Sequence, residues 1–163
     1  MKLVKAILHK GEWLLDALKR VGYKMIPTNT ILDKTLTGLG ATHSEIHSKR
    51  NSIIIEPNVP VILGKLNDND NLEAVYEKCT PYSIKQYLKM DIPYKKIRKA
   101  AMELNINIYK DYFCLFDECE KLTQDIEYRR KISQPIYDFF KFEQKAFVSA
   151  TPLKMSHPEF ERQ

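Results

Sequence analysis

Two adjacent carboxylates, Asp117 and Glu118, follow directly on the apolar run 112–116, YFCLF. Such a run suits a buried strand, and the ligands of open α/β sheets bind just beyond the carboxyl ends of the strands. A carboxylate in that place can hold Mg2+ through its water shell while a neighbouring one orients or deprotonates an attacking water. Asp117 suits the first role and Glu118 the second. The same residue types also close many strands as solvated acidic turns, or pair with lysines such as Lys34 and Lys121. Taken alone, the pair leaves both readings open.

Upstream, Thr37, Gly38, Leu39, Gly40, Ala41 and Thr42 form a turn of small residues between the strand-like segment 28–33 (TNTILD) and the helical segment 43–50 (HSEIHSKR). Strand, glycine loop and helix is the order of a phosphate-binding unit. Backbone N–H groups of residues 38–42 and the start of the following helix can cradle phosphate, and the Thr42 hydroxyl can meet Mg2+. Downstream, Ser149, Ala150 and Thr151 again follow an apolar run. Three strand-end segments thus succeed one another along the chain.

The elements that must position them read as follows. Leu3, Ile7, Leu14, Ala17, Leu18 and Val21 recur at helical spacing, with Gly11 as a break and Gly22 as a stop, which predicts a helical leader over 1–27 with Trp13 as a core anchor. The segment 52–57 (SIIIEP) suits a buried parallel strand, Pro60 suits the opening of a helix, and 72–78 is a further strand candidate. Segments 81–90 and 93–105 each carry proline near the first turn and apolar residues at helical spacing, and so predict two helices. Strands alternating with helices predict an α/β domain over 28–163, with a mainly parallel sheet covered by helices on both faces. The glycine turn and the acidic pair are expected on neighbouring strands of one rim.

On these motifs, residues 28–152 resemble the first RecA-like ATPase domain of the superfamily 2, or DExx-box, helicases. The glycine turn is similar to motif I, IIIEPN to motif Ia, DECE to motif II and SAT to motif III. The resemblance implies a three-layer RecA-like P-loop NTPase fold that binds ATP and Mg2+ through the first and third of these motifs. It implies that Ser149, Ala150 and Thr151 couple hydrolysis to movement on DNA or RNA. Pro57 and Asn58, with Thr80 and Pro81 resembling motif Ib, would contact the nucleic acid. A second RecA-like domain, in cis or in trans, is needed to close the nucleotide cleft, so the chain is expected to be an excerpt of a longer helicase. The departure is Ala41, which stands where the family carries lysine before the threonine. Losing a charge-assisted hydrogen bond of about 1.5–3 kcal/mol predicts roughly tenfold to hundredfold weaker ATP binding. Hydrolysis should suffer more, by on the order of 10³. Lys34 is the local cation available as a substitute.

Composition sets wider bounds. The 163 residues, 44% hydrophobic, are enough for one packed core. The net charge of +5 and a pI ≈ 9.0 favour polyanionic partners. Lys95, Lys96, Arg98 and Lys99, and further on Arg129, Arg130 and Lys131, are basic stretches that suit either a nucleic-acid backbone or a solvated helix face. Three cysteines, Cys79, Cys114 and Cys119, are too few for a disulfide framework and lack paired zinc spacing, which fits a reducing cytosol. Charged residues interrupt the first twenty positions, excluding a signal peptide or membrane span there. His43 and His47 share a helix face but supply too few ligands for catalytic zinc, and Ser149 lacks the nucleophile elbow of a serine hydrolase.

Overall fold

The computed structural model describes residues 1–55, 102, 105, 107–119 and 138–151. The notable strands are short: β1 (Lys2–Lys5), β2 (Thr30–Asp33), β3 (Ser52–Ile55), β4 (Phe113–Asp117) and β5 (Gln144–Ser149). Among the described residues the helices are α1 (Leu14–Arg20), α2 (Ala41–Ile46) and α3 (Ile108–Asp111). All five strands run parallel in the order β1-β2-β5-β4-β3. The chain is therefore α/β, and β5, the last of the described strands in sequence, lies at the centre of the sheet between β2 and β4.

Side chains alternate across each strand, so one residue type on successive positions feeds two cores. Leu32, Ile54, Leu115, Ala146 and Val148 face the helices α1 and α2, where Leu14, Leu18, Ala41 and Ile46 complete a cluster. Ile31, Ile53, Ile55, Cys114, Phe116 and Phe147 face the other way, onto Ile108 of α3 and onto Phe139 and Phe142. Phe139 lies 4.0 Å from Phe147 and 5.9 Å from Phe116, ring centroid to centroid. Such two-sided burial is what continuous apolar strands predict.

The leader differs from the expected helix. Residues 2–5 pair with β2 as an edge strand, extended at either end by Lys2 N–H to Asn29 O and Ala6 N–H to Asp33 O, both 3.0 Å. Leu3 and Ile7, whose spacing suggested a helix face, are both exposed, and in this strand only Val4 is buried. A four-residue strand is too short to display a period, so its identity is decided by pairing with β2 rather than by local pattern. Helix occupies only 14–20 of the leader, ending ahead of Gly22 at φ +92°. The loop before it is fastened by Glu12, whose carboxyl is held below its ordinary range by the His9 amide and by the Arg20 guanidinium.

Beneath α2, Glu45 is completely buried and accepts from Ser48, Ser52 and Arg50, the last at 2.9 Å to one oxygen and 2.6 Å to the other. Arg50 also donates to Ile26 O and lies 3.4 Å over the Phe113 ring. This network ties α2 to the starts of β3 and β4, and so fixes the helix that follows the glycine turn.

Candidate functional site

β2, β4 and β5 end at one rim, and three of the predicted segments meet there. β2 and β4 are not direct neighbours, as the sequence suggested; β5 lies between them. Local sequence does not encode which later strand will be inserted. The insertion brings a third segment to the site: Lys34 N–H donates to Ser149 O at 2.9 Å, and Cys119 N–H to Val148 O at 3.4 Å.

Asp117 is the centre of the arrangement. Its Oδ1 accepts from Lys34 Nζ at 2.8 Å and from the Glu118 N–H at 2.9 Å, and its Oδ2 accepts from Thr42 Oγ1 at 2.8 Å. These contacts join residues 83 and 75 positions apart. The lysine and aspartate side chains are only 3% and 8% exposed. The pairing of Asp117 with Lys34, one of the two readings open from sequence, is therefore present, and the same carboxylate also meets Thr42.

The turn between β2 and α2 rises away from this centre. Thr35 has φ +57° and donates its N–H to Asp33 Oδ1 at 3.0 Å, which turns the chain outward immediately after Lys34. Thr35, Leu36, Thr37 and Gly38 are exposed, whereas Ala41 and Thr42 are buried. Gly38 at φ +71° and Gly40 at φ +76° take left-handed conformations that a side chain resists. Glu118, beside Asp117, likewise sits at φ +50°. Positive φ at non-glycine residues costs on the order of 1 kcal/mol or more, and Thr35 and Glu118 flank the buried ion pair on its two strands. α2 itself is only six residues long, so its dipole adds little to the rim.

Ala41 does not point into the rim. Its methyl is buried in the core with Val4, Ala6 and Leu14, so the position the family gives to lysine is occupied by packing. Trp13, expected in the core, is instead 59% exposed and covers the glycine turn. A Cβ built on Gly40 would lie 2.9 Å from its Cε3 atom, and the Leu14 N–H donates to Leu39 O at 3.1 Å. The residue type alone suggests a core anchor, but Trp13 stands at the N-cap position of α1, where its ring reaches the turn. At the third segment, Ser149 Oγ is engaged with Thr151, accepting from its N–H at 2.9 Å and donating to its carbonyl, while Ala150 is half-buried.

Comparison with protein-family models, with curated protein sequences and with solved structures gives no match. The site must be judged on its own geometry.

Among the described residues no group of three or more His, Cys, Asp or Glu side chains could hold a metal alone. Mg2+ does not require one, since it keeps several waters and is usually held by one or two carboxylates with substrate phosphates. Asp117 and Thr42, with their oxygens in contact, fit that donor set. His43 and His47 stack with ring centroids 4.2 Å apart on α2 and its cap, and among the described residues they belong to no group of three or more such ligands. Pro57, Asn58, Thr80, Pro81, Cys79, Lys121 and the basic stretches at 95–99 and 129–131 lie outside the described residues. No described helix is long and apolar enough to cross a membrane.

Proposed function

We propose that this chain is the ATP-binding, RecA-like domain of a superfamily 2 helicase or translocase acting on nucleic acid. The observation that carries the reading is the direct contact of Thr42 with Asp117 at the common rim of β2, β5 and β4. The two residues belong to segments far apart in the chain, and both are of a type that can meet Mg2+ beside a phosphate. The strained Glu118 beside them supports the same reading, since backbone strain is retained where the surrounding structure over-determines it.

In this reading the turn 37–42 receives the phosphates and Asp117 and Thr42 hold Mg2+. The ion, when bound, neutralises charge on the phosphoryl group being transferred. Glu118 orients the attacking water and takes its proton. Ser149, whose carbonyl holds the Lys34 amide, links the third segment to the first. A second RecA-like domain and a DNA or RNA strand complete the active assembly, and a reducing cytosol, which suits the buried thiols of Cys114 and Cys119, is its compartment.

A second reading is favoured by Ala41 and by the fact that Asp117 already has protein partners on both oxygens. The domain would then be a catalytically inactive RecA-like scaffold for nucleic acid or a protein partner. Calorimetry with millimolar Mg-ATP on the folded chain tests the first reading, which expects heat that vanishes without Mg2+; no heat excludes it. Turnover by the full natural polypeptide, stimulated by nucleic acid and reduced 10²-fold or more by Glu118→Gln, would exclude the second.

A further inference from the structure

We infer that Lys34 supplies the phosphate-binding cation that the glycine turn lacks. The inference rests on the nucleotide-binding reading above and names the group by which that site grips a polyphosphate.

Position 41 cannot do so, because its side chain belongs to the core beneath α2. The other well-placed basic groups of the described residues are committed elsewhere. Arg50 is bound to Glu45, Arg20 to Glu12 and Lys141 to Asp138, while Lys145 donates to the carbonyls of Phe140 and Phe142. Lys34 alone among these is tied to Asp117.

Its situation is unusual for a structural lysine. The residue is 2% exposed, yet among the described residues its ammonium has one acceptor, Asp117 Oδ1. An ammonium carries three donors, and a buried charge is normally satisfied as fully as its geometry allows. Among the described residues two N–H groups are thus without an acceptor, near the point where the turn and the acidic pair converge. Phosphate oxygens are acceptors of the right charge and number to take them. Lys34 is also anchored at the backbone: its N–H is held by Ser149 O and its carbonyl accepts from Leu36 N–H at 2.6 Å. The left-handed Thr35 then sends the main chain outward while the lysine side chain runs inward to the carboxylate. A cation placed at the end of the strand, before the turn, thereby reaches the point that a lysine after the turn would otherwise serve. Asp117 holds the end of the side chain at the rim.

Calorimetry on wild type and Lys34→Met with Mg-ATP and Mg-ADP tests this. Tenfold to hundredfold weaker binding of both nucleotides is expected in the variant, the effect of one charge-assisted hydrogen bond. The wild-type chain offers a second measurement that needs no variant. ATP acylated on its γ-phosphate should transfer the acyl group to Lys34. The ammonium first gives a proton to solvent, the neutral amine then attacks the acyl carbon, the new C–N bond replaces the C–O bond to phosphate, ATP departs and the nitrogen loses a second proton to leave an amide. Peptide mass spectrometry should find the label on Lys34 and find it removed by excess ATP. If wild type binds Mg-ATP but a folded Lys34→Met binds it equally well, or if the label falls on other lysines and spares Lys34, the assignment of Lys34 is overturned while the nucleotide site stands. If wild type gives no heat and no competed label, both readings fall together.

Discussion

Asp117 serves three donors at once, and the energetic consequence differs for each way of removing it. Breaking one side of a buried ion pair leaves an uncompensated charge and costs about 3–5 kcal/mol, whereas exchanging both partners for apolar groups is often neutral or better. Asp117→Leu should therefore destabilise the chain by about that amount, and Lys34→Met in the same molecule should restore much of it. Denaturant unfolding of the two single variants and the double variant checks the cycle; equal, additive losses would mean that the 2.8 Å contact carries no coupling. Glu45 presents the same physics in another place. It is buried opposite Arg50, so Glu45→Ala should cost about 3–5 kcal/mol, read as a lowered denaturation midpoint.

At the scale of elements, the glycine turn is shaped from outside by the leader. Gly40→Ala introduces a Cβ at φ +76° and 2.9 Å from Trp13, so a loss of about 1–2 kcal/mol is expected together with displacement of the indole. Trp13 is the one tryptophan of the chain, so its fluorescence reports that displacement directly; unchanged emission would show that the contact is dispensable. This is also the scale at which the sequence was most and least legible. The apolar runs before Asp117 and Ser149 announced β4 and β5 because both faces of a central parallel strand are buried, and the small residues at 37–42 announced a turn that needs left-handed backbone. The edge strand β1 was hidden, since KLVK shows one buried residue and borrows its conformation from β2. The fate of Trp13 was hidden for a related reason: its exposure depends on where α1 docks, which no local spacing records. Lys34 could be noticed as a nearby cation, but its inward course is set by the left-handed Thr35, a conformation that a threonine does not advertise.

For the whole molecule, the central strands form a barrier to chemistry as well as to water. Cys114 is fully buried on β4, and burial pushes its thiol well above the ordinary range, outweighing the lowering effect of Lys145. A folded-state value raised in this way favours the protonated thiol, so its contribution is complete below the unfolded thiol value of about 8.5 and is lost as pH rises beyond it. Stability should accordingly fall on the alkaline side, with a shallower fall in Cys114→Ala. Alkylation of Cys114 should likewise follow global unfolding rather than precede it, as mass spectrometry of labelled peptides along a denaturant series would show; rapid labelling of the native chain would contradict the packing. The order in which the sheet is completed matters here too. Lys34 and Thr42 reach Asp117 across sequence separations of 83 and 75, with β5, the last of the described strands, wedged between β2 and β4. Closing loops of that span costs entropy before any contact repays it. A fragment that stops short of residue 149 lacks part of the strand that joins β2 to β4, so a ligand captured at the rim is expected to favour completed chains by mass action.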